Sequence, residues 1–278
     1  MVVSVDDIKE LRRLTGAGIL TCRKVLVDVG GNIEAAIELI RKQYNVAVLK
    51  KSGRDVKFGA VFTAVTEDCT CGVLIEVACE TDFVAKSSIF IEAVKCLASF
   101  ALSHKIRSVE ELVNGIYLGN PVSFFIEELI NKFSENIRVT KLYLREVETG
   151  CIGCYNHYRN NIPSFGALVV LNCINYDLAH DLAVHVAVSC PLYISYSDIP
   201  EDVIQKEYIT SKETYLERYK DKGDVILRKI VESNVKGKFD SVILMEQFFF
   251  KEQSVKVCEL LLKNKAEVSD FCYARVGA

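Results

Sequence analysis

The first fifty residues carry apolar side chains at helical spacing. Val5, Ile8 and Leu11 fall on one face, and Ser4 followed by Asp7 has the form of a capping box at its start. Thr15-Gly16-Ala17-Gly18 breaks the pattern, because two glycines in three residues disfavour continuation. A second helix is predicted from about Ile19 to Val29, stopping at Gly30-Gly31, and Asn32 is placed to cap a third that carries Ile33, Ala36, Ile37 and Ile40. Helices this short bury little, so the head is expected to be marginal alone and to join the rest flexibly, through the basic segment Lys50-Lys51-Ser52-Gly53-Arg54.

From Gly59 the period shortens to two. Val61, Thr63 and Val65 alternate with Phe62, Ala64 and Thr66, Glu67 to Gly72 turns the chain, and Val73 to Ala78 returns, which is a hairpin pattern. Helical spacing resumes after Thr81, through Val84 to about Leu102, and again over Ser108–Asn114 and Pro121–Phe133. A repeat then organises the middle of the chain. Gly59 precedes Gly72 by 13 residues, Gly153 precedes Gly166 by the same interval, and Val73–Cys79 aligns without gaps on Ala167–Cys173. Each copy continues into a polar turn and a helix, the second running from His180 to Ser189 ahead of Cys190-Pro191. Two units of one design are expected, each a small antiparallel sheet backed by helices; chance likeness of two hairpins is the plainer alternative. Residues 201–235 place Val203, Ile204, Tyr208, Tyr215, Leu216 and Tyr219 at helical spacing, break at Lys222-Gly223-Asp224, and resume at Val225, Ile226, Leu227 and Ile230. That is an antiparallel helical hairpin. Strand-like Val242–Met245 and Phe248–Phe250 follow, then a helix through Val255–Leu262 and an extended Phe271–Val276.

With 278 residues, half of them hydrophobic and 26% charged, the chain reads as globular and as too long for one core, so two or three packed units are expected. No apolar run approaches the roughly 20 residues that cross a bilayer, which argues against a membrane protein. Acids and bases in the opening MVVSVDDIKELRR leave no greasy secretion segment, so a cytoplasmic location is expected. A net charge of −3 argues against direct nucleic-acid binding. The charge is uneven, however: residues 1–57 hold 11 Lys and Arg against 7 Asp and Glu, and the remainder 23 against 30. A basic head on an acidic body suggests a head that touches something acidic, beside the blander reading of a small solvated domain.

Eleven cysteines invite a search for thiol or metal chemistry. Cys151-Ile152-Gly153-Cys154 is a CxxC, but no second pair stands at zinc spacing, and Gly153 begins a strand where a redox motif opens a helix. Buried small hydrophobes are the better account. His180 and His185 are five residues apart, not the four that share a helix face, and His104 and His157 add no ligand spacing. A Walker loop, nucleophile elbow, HExxH and GxGxxG are all missing, so no cofactor, no metal and no enzymatic chemistry are expected. One segment differs. Thr81-Asp82-Phe83-Val84-Ala85-Lys86 lies where strand gives way to helix, so its side chains stand at a rim. Thr81 as N-cap, Asp82 in the first turn and Phe83 in the core are the plain structural account of it.

Taken in order, Leu11 to Gly18, Cys22 to Leu26, Gly31 to Ile37, Thr81 to Lys86, Glu135-Asn136-Ile137, Tyr155-Asn156-His157, Ser189-Cys190-Pro191, Lys238-Phe239 and Glu246-Gln247-Phe248 resemble the translation elongation factor Ts family. The resemblance runs over essentially residues 5–277. It implies an α+β fold with a three-helix, ubiquitin-associated-like head (1–55) and two related antiparallel-sheet-plus-helix subdomains (56–148, and 149–205 with 236–278). A helical hairpin of the dimerising coiled-coil type is inserted at 206–235, and a homodimer is left open. The function implied is guanine-nucleotide exchange on the GTPase elongation factor Tu. In the family the motif's Asp and Phe press beside the partner's Mg²⁺ site, which assigns that role to Thr81, Asp82, Phe83 and Val84 here. Arg12, Ile19 and Leu20 take the head's contacts, Phe133 an apolar contact, and His157 a contact with a later domain of the partner. There are departures. Ser134 stands where the family usually has glycine, and Ser233-Asn234 replaces its usual Gly-Arg. The family often continues beyond the point of Gly277-Ala278 into a partner-binding helix, so that contact is expected to be lost or to fall elsewhere. Two other functions stand beside exchange: a scaffold whose head docks an acidic partner without promoting exchange, and a thiol-dependent enzyme using Cys151 and Cys154.

Overall fold

The computed structural model describes residues 3–15, 17–51, 53–218 and 224–277. Gly16, Ser52, Tyr219 and the Lys222-Gly223 break lie outside them. Helices α1 (Val5–Thr15), α2 (Ile19–Asp28) and α3 (Ile33–Lys51) form the head. Ser4 Oγ accepts the Asp7 N–H and Asn32 Oδ1 the Ala35 N–H, each at 3.0 Å, and Gly30 and Gly31 end α2 at φ +66° and +86°. The basic segment is not a linker throughout: Lys50 and Lys51 complete α3, and Lys51 Nζ donates to the Ile130 carbonyl at 3.2 Å. Leu11, Cys22, Leu26, Ala36 and Ile40 need one more side chain to close their core, and the body supplies it as Phe124. The head is seated on the body rather than hung from it.

The body opens with β1 (Phe58–Val65), β2 (Cys71–Cys79), α4 (Asp82–Ala85), α5 (Ser88–Ser103) and α6 (Val109–Asn114). A two-residue pairing of β3 (Ile116–Tyr117) with β4 (Asn120–Pro121), then α7 (Val122–Phe133) and β5 (Ile137–Glu146), complete the first unit. The second unit has β6 (Cys151–Arg159), β7 (Ile162–Leu171) and α8 (Tyr176–Ser189). After it come the hairpin helices α9 (Glu201–Arg218) and α10 (Asp224–Asp240), then β8 (Phe248–Phe249), β9 (Glu252–Lys256), α11 (Val257–Asn264) and β10 (Val268–Arg275). The hairpin helices reach past both ends of 206–235 and pack through Leu227, Val231 and Val235 against Val203, Ile204 and Tyr208.

Both sheets are antiparallel, ordered β1-β2-β5 and β6-β7-β10, so in each the second hairpin strand is central and a strand arriving after helices joins it. The repeat is one of topology. Its residue-by-residue form holds for the central strands and for Thr81 and Asn175, which each cap a helix two residues beyond the aligned cysteines. It fails for the first strands, since Gly59 faces Ala78 whereas Gly153 faces Val169. At Gly153 a Cβ would lie 2.1 Å from the Ala179 backbone, so glycine there lets α8 rest directly on β6.

The two sheets stack face to face through Val61, Leu74, Ile152, Leu168, Val170 and Cys272. Helices α5 and α7 cover one outer face, α8 and α11 the other. Every residue of β2 is therefore buried, which is why its sequence is apolar on both faces except at Glu76, whose carboxylate accepts the Thr140 hydroxyl at 2.8 Å and pairs with Lys141. Asn156 ties the edge strands together, its Oδ1 accepting the Thr63 N–H at 2.7 Å and its Nδ2 donating to the Thr63 carbonyl at 2.9 Å.

Two more expectations need correction, and one strand was not expected. The helix expected from Val84 to Leu102 is broken at Lys86-Ser87 into α4 and α5. Strand β5 escaped notice because a bulge opposite Glu76 and Val77 shifts its phase, so the buried set is Ile137, Val139, Leu142 and Leu144 rather than one alternation. Val242–Met245 is no strand: Ile243 makes a single bridge to Tyr193, and Leu244–Glu246 is one 3₁₀ turn.

Candidate functional site

Strand β2 delivers the chain to α4, a helix of four residues. Thr81 is extended, at φ −124° and ψ 158°, and its Oγ1 accepts the Val84 N–H at 3.4 Å. Val84 and Ala85 enter the core of the first unit. With about 100° between successive helical residues, Phe83 must then point away, and it is 80% exposed. The plain expectation of a core Phe83 is overturned by the burial of its two neighbours. Asp82 pairs with Lys86 one turn on, and that hydrogen bond holds the Asp82 carboxyl below the usual carboxylate range.

A second turn grips this one. Helix α7 ends at Ser134, whose φ of +58° reverses the chain and brings Glu135 back over the end of β2. Glu135 Oε2 accepts the N–H groups of Glu80 and Thr81 at 3.1 and 3.0 Å, and Oε1 accepts the Thr81 hydroxyl at 2.5 Å. In return Glu80 Oε1 accepts the Asn136 N–H at 2.5 Å and the Arg54 guanidinium at 3.4 Å, while Asn136 Nδ2 donates to the Arg54 carbonyl at 2.9 Å. No periodicity marks Glu135 for this part; the sign the sequence does carry is the Glu135-Asn136-Ile137 segment of the family resemblance.

The remaining candidate residues are distributed. Ile19 and Leu20 are 53% and 80% exposed at the start of α2, and Arg12 is exposed on α1. Arg12 and Gly18 share a cleft of about 1180 Å³ with Ser88 and Ile89, at the start of the helix after Phe83, and with Glu128. Burial pushes the Glu128 carboxyl up to about 7, against a smaller opposing pull from Lys132. Phe133 is half-buried against the first core, two residues before Glu135. His157 lies on β6 in the other unit, stacked on Phe165 at 4.1 Å with Nδ1 2.9 Å from the Tyr155 hydroxyl. Thr81 to Val84 and the turn after α7 form one site, the head borders a separate cleft against α5 and α7, and His157 stands apart.

Burial pushes the Cys151 and Cys154 thiols up, opposite to what an attacking thiol needs. His185 is buried with Nε2 3.0 Å from Gln247 Oε1, and His180 Nδ1 lies 2.9 Å from the Cys154 carbonyl oxygen. Among the described residues no group of three or more His, Cys, Asp or Glu is placed to hold a metal ion, and no helix is long and apolar enough to cross a membrane.

The sequence family described as Elongation factor TS matches residues 80–278, which begin at the gripped turn itself. The chain belongs to the elongation factor Ts family. It is 36% identical to the elongation factor Ts of Methylococcus capsulatus, over 100% of this chain and 93% of that one. It is 34% identical to that of Aquifex aeolicus, over 100% and 99%, and 32% identical to that of Streptomyces griseus, over 98% and 97%. The head precedes the family match but is included in the alignments with the Methylococcus and Aquifex elongation factors Ts, which cover the whole chain.

Proposed function

We propose that the protein is a guanine-nucleotide exchange factor for elongation factor Tu, acting in the cytoplasm during translation elongation. The observation that carries this reading is Phe83, an aromatic ring 80% exposed on a short helix whose other face is buried. Interfaces favour such rings as anchors. Beside a bound nucleotide the divalent ion is often the largest local charge, so a ring that displaces the side chains holding it loosens metal and diphosphate together. Asp82 flanks the ring, Thr81 and Val84 fix it, and Arg12, Ile19, Leu20, Phe133 and His157 supply the wider contact. Coupling is reciprocal: a factor that prefers the nucleotide-free partner lowers that partner's affinity for nucleotide to the same extent. No bond is made or broken, so no catalytic side chain is required.

The test is release of a fluorescent GDP analogue from purified elongation factor Tu in Mg²⁺ buffer. The chain should accelerate release strongly and form a complex on gel filtration that excess GDP disperses. Release at the spontaneous rate overturns exchange, and a complex without acceleration makes the chain a scaffold.

A further inference from the structure

We propose that Glu135 is the positioning residue of the α4 tip, setting the direction in which Phe83 is presented; this deepens the exchange reading and rests on it. A helix of four residues cannot hold its own geometry, since the first turn fixes several dihedrals for a single hydrogen bond. The local cap is long, at 3.4 Å from Thr81 Oγ1 to the Val84 nitrogen. Val84 and Ala85 anchor one side of the turn in the core, and the Ala85 and Lys86 N–H groups bond back to the Thr81 and Asp82 carbonyls. Glu135 holds the two residues ahead of that turn. From a different element, more than fifty residues away in sequence, it takes two N–H donors and one O–H donor from the two residues that immediately precede the helix. Hydrogen bonds to a carboxylate are about twice as strong as neutral ones. Among the described residues all three bonds go to this turn, and Glu80 answers by receiving the Asn136 N–H, so the two turns hold each other from both sides.

The arrangement costs a left-handed residue. Ser134 must sit at φ +58° for the next side chain to swing back over β2. Neither Glu135 nor Ser134 is part of a core cluster, and the reciprocal bonding at Glu80 and Asn136 fixes direction without adding apolar burial. A wedge works only if its reacting geometry is prepared before contact, and small misplacements of a positioned group cost large factors in rate. The loss on removing Glu135 therefore falls on the maximal rate of GDP release more than on complex formation, because the head and the second unit still bind.

The experiment compares GDP release from elongation factor Tu against concentration of the full chain for wild type, Glu135→Gln, Phe83→Ala and the double variant. Glutamine matches the shape of Glu135 but replaces one accepting oxygen with an NH₂ group. Glu135→Gln should lower the maximal rate about tenfold while the half-saturating concentration moves less than about threefold. In the Phe83→Ala background it should change nothing further, because both act through one ring. A wild-type maximal rate in Glu135→Gln, or a loss that multiplies with that of Phe83→Ala, overturns the positioning role. If Glu135→Gln fails to fold, Thr81→Val, which deletes the hydroxyl, should slow release and Thr81→Ser, which keeps it, should not; equal rates overturn the proposal. If wild type gives no acceleration, the exchange reading falls and takes this one with it. If wild type is fast, Phe83→Ala slow and Glu135→Gln fast, this inference alone falls.

Discussion

Replacing Phe83 by alanine separates binding from folding, because its ring takes little part in the core. The ring is 80% exposed, so folding removes only about a fifth of it from water. Full burial of a phenylalanine is worth about 1.5–3 kcal/mol, and the alanine variant therefore forfeits about 0.3–0.6 kcal/mol of stability. In a chain of this length 1 kcal/mol corresponds to about 2–4 °C in Tm, so the melting temperature should fall by no more than about 2 °C. At an interface the same ring counts in full. Truncating an aromatic anchor there costs about 2–4 kcal/mol, which is about 30- to 1,000-fold in the rate of GDP release at limiting factor. Stopped-flow release of a fluorescent GDP analogue reads the second quantity and a thermal melt the first. A release rate within about threefold of wild type refutes the assigned role. A fall in Tm beyond about 5 °C refutes the premise, since it would mean that the ring packs inside its own unit.

Two further outcomes follow from buried titratable groups. Glu128 has a folded pKa raised to about 7 from an ordinary 4.5, so the unfolded chain gives up that proton first and stability falls as pH rises from 4.5 to 7. The loss is on the order of 1–3 kcal/mol allowing for residual solvent at the carboxyl. Glu128→Gln should flatten Tm over that interval and raise it at pH 8, and an unchanged Tm–pH slope would count against the burial argument. Burial pushes the Cys79 and Cys272 thiols up to about 12, which leaves about one thiolate in ten thousand at pH 8. Mass spectrometry after brief iodoacetamide treatment of the native chain should find both unmodified, and both modified in denaturant. Rapid native alkylation of Cys151 or Cys154 with loss of function would instead restore the thiol-enzyme alternative.

What could be read in advance follows the physics of each element. Helices closed by a local signal were legible: Ser4, Asn32 and Gly30-Gly31 mark their boundaries with groups that act within four residues. Strands of uniform phase were legible too, which is why β1 and β2 stand where the alternation and the apolar run put them. Strand β5 was not, because its bulge opposite Glu76 and Val77 is a property of the pair and leaves a broken period in one chain. The end of α3 was misread because Lys50 and Lys51 look like a linker until Ile130 offers a carbonyl to Lys51. The site divides in the same way. Thr81 and Asp82 were legible as a helix start, but the outward turn of Phe83 depends on Val84 and Ala85 finding the first core, and Glu135 depends on a meeting of two turns far apart in sequence.

A wedge also needs a base that does not yield. Among the described residues, the strand that ends in α4 is the one element with every residue buried, flanked by sheet partners on both edges and covered above and below. Protein interiors packed in this way transmit displacement instead of absorbing it. The second unit, which carries His157, is held to that strand's sheet through the apolar layer around Leu74 and Leu168, the Asn156 bridge to Thr63, and the ion pair of Arg145 with Asp270. The head is held to it through Phe124. On the exchange reading, contacts made at the head and at His157 supply binding energy, while the cost of disturbing the metal site is met at Phe83. Energy gained at one surface can oppose a cost at another only if the body between them is stiff. On that reading the face-to-face sheets matter to exchange alongside the ring: a softer joint would let the factor bind its partner and leave the nucleotide in place.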